Sequence, residues 1–279
     1  MLVACDGRPA NEQETENGVV KVDLPAPKFA PAPIDRSALL LAVIRAASAS
    51  AAGQDDSAAQ RELDGKAFEL RIRFGCGGPT DSASDEAFGW SYDEGSRRLQ
   101  LRASPDIARD DPFVQQASAN QSESVEGFWI PRPWLLDPTC PATPAPPPSP
   151  DGSDTDAAAS DPPPAETAAE DEEEDRIPSP SWPRVGIAQF FTAADSRALQ
   201  RSDRPYRISR TIELAEADRA QGFTFILSGR LVARPGGRVI TCVAADPQSP
   251  PDCLISARFD RVWIEQPATG TLIAEWGTG

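Results

Sequence analysis

Few side chains in this sequence can do covalent or metal chemistry: five cysteines (Cys5, Cys76, Cys140, Cys242 and Cys253) and not one histidine. Without an imidazole, Ser-His-Asp and Cys-His nucleophiles are excluded, as are histidine-ligated metals. A serine-lysine pair would have to use Lys66, because Lys21 and Lys28 lie in a proline-rich stretch, and no serine stands near Lys66 in a recognisable motif. No two cysteines are two to four residues apart, so they do not have the spacing of a zinc site. Setting Cys5 aside, the even number and wide spacing suit disulfides in an oxidising compartment. Four cysteines allow three pairings. The economical one joins Cys242 to Cys253, which flank a proline-rich loop between two strand-like runs, and Cys76 to Cys140; the alternative is four buried thiols.

Carboxylates are the remaining candidates for catalysis. Asp85, Glu86, Asp110 and Asp111 fall in or near expected loops, where paired acids could serve glycoside or peptide hydrolysis. Acids in loops are more often solvated, so we assign no catalytic residue. The alternative is a soluble or periplasmic enzyme using loop carboxylates on a glycan or peptide. No metal and no cofactor is implied. Aromatic side chains offer a different role: Trp129 and Trp134 around IPRP, with Trp182 after a long polar stretch, are candidates for a binding surface. Their competing role is in the core and as loop anchors.

The first residues carry a specific pattern. Leu2, Val3, Ala4 and Cys5 resemble the lipobox of bacterial lipoproteins, in which an apolar residue and two small ones precede a cysteine. The resemblance implies that the Cys5 thiol forms a thioether to diacylglycerol, that a peptidase cuts just before it, and that residues 1–5 are the end of a truncated signal peptide. Two or three acyl chains make membrane attachment stable, whereas one is marginal. The expected location is therefore the cell envelope, membrane-anchored and facing the periplasm. The expected partners are the membrane, through the anchor, and an envelope protein or cell-wall component. Nucleic acid is not expected: the formal charge is −16, and no basic stripe is present to release counterions from phosphates. Eleven acids and one base between Asp151 and Arg176 account for −10 of that charge, which leaves an ordinary surface elsewhere.

The elements that must position these residues follow from period and punctuation. Residues 6–34 are polar and then proline-rich, too poor in large apolar groups to fold, and read as a disordered spacer. Asp35 to Gly53 has a cap, an apolar run and a terminating glycine, the marks of a helix, and a second short helix is expected from Asp56 to Leu63. In Ala67 to Phe74 (AFELRIRF) the period of two indicates a strand. Further strands are expected at residues 88–92, 97–103, 125–130, 185–191, 207–214, 223–233, 239–244, 254–264 and 271–276, with a short helix starting at Thr192 and Asp195. Residues 104–123 read as loop with a possible helical turn. Residues 141–181 contain no aromatic and one large aliphatic, Ile177, and read as a disordered acidic insertion.

The expected fold class is α+β. N-terminal helices would pack on a mainly antiparallel sheet or partly open barrel, built from residues 35–140 and 182–279 as two halves of one domain. The alternative is two small domains joined by an acidic linker.

Overall fold

A computed structural model describes residues 31–80, 86–118, 122–141, 183–193, 195, 201, 204–213, 215 and 219–277. The fold is α+β, with few helices, a seven-stranded mixed sheet and a three-stranded antiparallel sheet. The described residues from Pro33 onward form one compact unit. The spacer falls almost wholly outside the described residues, as does the acidic insertion apart from Pro141.

Helix α1 (Arg36–Ala51) starts where Asp35 caps it, the carboxylate accepting from the Ala38 N–H at 2.9 Å. It buries Leu39, Leu40, Val43 and Ala46, one face of a helical period, in the main core. α2 (Ser57–Leu63) docks through buried Gln60, whose side-chain oxygen accepts from the N–H groups of Val239 and Ile240. β1 (Ala67–Phe74) alternates strictly, with Phe68, Leu70, Ile72 and Phe74 inside. β2 (Phe88–Asp93) and β3 (Arg98–Ala103) form a hairpin, and β6 (Tyr206–Thr211) completes the small sheet in the order β2-β3-β6.

The large sheet is organised by β9 (Asp252–Gln266), whose 15 residues give it room for four partners. Its first half lies between β5 (Val185–Phe191), the one parallel neighbour, and β8 (Ile240–Val243). Its second half lies between β7 (Phe223–Leu231) and β10 (Thr271–Gly277). β1 extends the sheet from β7, and β4 (Ser124–Trp129) extends it from β5. Strands before and after residues 142–182 therefore share both sheets. β5 is buried almost throughout, as its unbroken apolar run requires of a strand covered on both faces.

The two sheets pack through aromatic rings: Phe88 lies 5.3 Å from Phe225 and Trp90 5.4 Å from Phe223, while within the large sheet Phe128 lies 4.9 Å from Phe225. Two disulfides staple the strand ends. Cys242–Cys253 joins directly paired residues of β8 and β9, and Cys76–Cys140 ties the end of β1 to the chain that follows β4. The stretch expected as loop around residue 112 contains a third helix, α3 (Pro112–Ser118), with proline at its first position. Asp195 accepts from the N–H and hydroxyl of Thr192, and the short helix expected to start there falls on residues outside the described ones. No helix among the described residues is long and apolar enough to cross a membrane.

Candidate binding site

β4 is an edge strand, and the way its edge is covered creates a cleft. Ile130 donates to Val185 O, so even-numbered residues face β5 and odd-numbered ones face outward. After β3 the chain runs along that outer edge. The N–H groups of Asp106 and Ile107 donate to Gly127 O at 3.0 and 3.3 Å, and Asp106 Oδ1 accepts from the Trp129 N–H at 2.8 Å. Gly127 permits this tight arrangement of strands, since a Cβ there would lie 2.5 Å from Ile187 O. One step towards the start of β4, at Val125, the covering segment turns away. It leaves a cleft of about 700 Å³ lined by Asp106, Arg109, Asp110, Gln115, Ser122 and Glu123. Beneath it lies a second, smaller core that includes Ile107, Val114 and Val125.

Arg184 ties the start of α3 to the sheet. Its guanidinium pairs with Asp111 at 3.0 Å and Asp252 at 2.8 Å and lies 4.5 Å above the Trp129 ring. Asp111 also caps α3 by accepting from the Phe113 N–H at 2.8 Å. Burial works against the Arg184 charge, but the bonds to Asp252 and Asp111 outweigh it and hold the group protonated. Asp106 is held differently. Its residue surface opens to the cleft, yet crowding by the surrounding chain pushes its carboxyl up to about 6, against the opposing pull of the Trp129 N–H.

The buried hydroxyl of Ser122, on a residue only 5% exposed, has no hydrogen-bond partner among the described residues. An unsatisfied buried hydroxyl costs on the order of 1–3 kcal/mol, so this cleft contains a polar group that a ligand could satisfy.

The structure brings some of the expected residues together here and separates others. Asp110 lines the cleft and is exposed; Asp111 and Trp129 do not line it, and Arg184 occupies both the carboxylate and the ring face. Glu86 is exposed, and its backbone carbonyl accepts from Arg102. Trp134 is 49% exposed on the loop after β4 and does not line this cleft. Trp182, Asp85 and Cys5 lie outside the described residues. Asp106 and Ser122 were not singled out from the sequence, since neither belongs to a motif. The turn residues around SPD were the one signal that the chain leaves β3 there. Among the described residues no group of three or more Cys, Asp or Glu is placed to hold a metal ion.

No family model, curated protein or solved structure matches the chain. Its function therefore has to be argued from these residues.

Proposed function

We infer that this is a lipid-anchored protein of the bacterial cell envelope, whose folded domain binds a cell-wall component without catalysing its turnover. The observation that carries the binding role is the cleft beside β4, where the unpartnered hydroxyl of Ser122 adjoins Asp106, Gln115 and Arg109. Carboxyl, amide, hydroxyl and guanidinium groups in one polar concavity suit the hydroxyls and amides of a peptidoglycan fragment. The envelope location is supported by the two disulfides, which fit a non-cytoplasmic compartment, and by the likeness of residues 2–5 to a lipobox. In this reading residues 6–34 are a spacer and residues 141–181 a solvated insertion.

Titration of the full chain with soluble muropeptides, followed by calorimetry, tests the binding role. Saturable binding is expected, weakened about tenfold or more by Ser122→Ala, which removes one hydrogen bond from a buried site. The same variant is expected to raise the melting temperature of the unliganded protein, because it deletes an unsatisfied buried group. Binding that is absent, or unchanged in Ser122→Ala, would count against the cleft.

One observation favours a second reading. A carboxyl raised to about 6 in a cleft with two further acids keeps more of its proton near neutral pH than an ordinary carboxylate, which suits a general acid in a hydrolase acting on a glycan or peptide. Release of reducing sugar or new amino groups from isolated sacculi, lost in Asp106→Asn, would establish that reading over the first.

A further inference from the structure

The opposite edge of the large sheet, β1, is closed by hydrogen-bond donors. Odd-numbered residues of β1 turn their backbone groups outward: Ile34 donates to Ala67 O and accepts from the Glu69 N–H. Further along, Arg36 Nη1 donates to Arg71 O at 3.4 Å and Arg132 Nη2 to Arg73 O at 2.8 Å. The outward N–H groups of Arg71 and Arg73 meet no acceptor among the described residues.

The charge at this edge is mostly basic, with the Arg71 guanidinium paired to the carboxylates of Glu69, at 2.9 Å, and Glu265, at 3.1 Å. Arg36 is only 5% exposed, and three of its bonds go to the carbonyls of Pro131, Arg132 and Leu135, which latch the loop after β4 onto the helix. Burial, and then repulsion from nearby Arg132, push Arg36 down to about 10. Neither Arg36, Arg73 nor Arg132 meets a carboxylate among the described residues, although acids outnumber bases 43 to 27 in the sequence. Arg73 Nε is buried with no acceptor. Arg132 is held at a φ of 51°, a left-handed conformation that costs a non-glycine residue energy and that the latch maintains. Arg36 and Arg132 hold the outward carbonyls of Arg71 and Arg73, the unpaired Arg73 N–H lies between those carbonyls, and neither guanidinium has a counter-anion among the described residues.

We propose that this edge is an oxyanion site, in which a phosphate group is held by the fork of Arg132 and the N–H of Arg73, beside the charge of Arg36. Guanidinium geometry suits two phosphate oxygens at once, and the outward Arg73 N–H supplies a fixed donor. The site is separate from the cleft and does not depend on the function proposed for it.

Two-dimensional NMR of the full chain, titrated with sodium phosphate and with sodium chloride at matched ionic strength, tests this directly. Phosphate is expected to shift the Arg73 amide and the Arg132 Nε–H saturably, leaving the Val125 amide in the cleft unmoved. In Arg132→Gln the apparent dissociation constant should rise about tenfold or more, with the remaining spectrum showing that the variant is folded. Arg132→Lys, which keeps charge but loses the fork, should lie between. A parallel arm uses phosphatidylcholine vesicles with and without phosphatidylglycerol. Shifts with free phosphate assign a soluble anion, and shifts with anionic vesicles alone assign a lipid headgroup. Shifts that merely track ionic strength, persist unchanged in Arg132→Gln, or appear with neither probe overturn the site.

Discussion

Asp106 shows how one residue's chemistry is made by a partner the local sequence does not contain. Its carboxyl is tied to the Trp129 N–H, 23 residues away, because the chain after β3 doubles as cover for the β4 edge. Crowding raises its pKa from 3.8 to about 6, so between roughly pH 4 and 6 the folded protein keeps a proton that the unfolded chain has released. Stability linked to this group is therefore greatest below about pH 4, falls as pH rises through the window, and levels off above about 6. Melting curves of the natural protein and Asp106→Asn should show it: the natural protein loses ground against the variant between those pH values and nowhere else. A difference that is flat with pH would mean the carboxyl titrates normally. Ser122 was equally hidden, since a serine before a strand reads as a turn residue until its burial is known.

At the scale of elements, what the sequence disclosed depended on whether burial follows a local period. β1 was legible because every second residue of AFELRIRF is apolar, and β5 because a continuous apolar run needs cover on both faces. α1 was legible from its cap and its apolar run. β9 runs two residues past its expected bounds at each end, with Asp252 and Gln266 at its termini. There pairing with β8 and β10, not apolar pattern, sets the length. The latch of Arg36 on the loop at Pro131 bridges 95 residues and leaves no local mark, which is why the exposed position of Trp134 could not be told from that of a core aromatic.

The disulfides also act at this scale. Cys242–Cys253 closes a separation of 11 residues and Cys76–Cys140 one of 64. Chain entropy gives about 3 and 4 kcal/mol for loops of these sizes. Urea unfolding should accordingly rank Cys76→Ala/Cys140→Ala as the more destabilised double variant. The reverse order would show that strand-end packing, and not loop closure, dominates.

For the molecule as a whole, the two disulfides and the lipobox-like start support the proposed account of an envelope protein tethered at Cys5, with a stapled α+β domain that carries a polar cleft at one sheet edge and an arginine-rich face at the other. Net negative charge argues against a nucleic-acid partner and is compatible with a polar cell-wall ligand. The fold class was legible in the alternation of strands and turns; the site was not, because both edges are shaped by contacts between distant parts of the chain.

Mass spectrometry of the unreduced protein, purified from its native envelope, tests the account most directly. It predicts that the chain begins at Cys5 with a diacylglyceryl thioether, and that the other four cysteines carry no free thiol. An unmodified Cys5, or four titratable thiols in place of two disulfides, would contradict it.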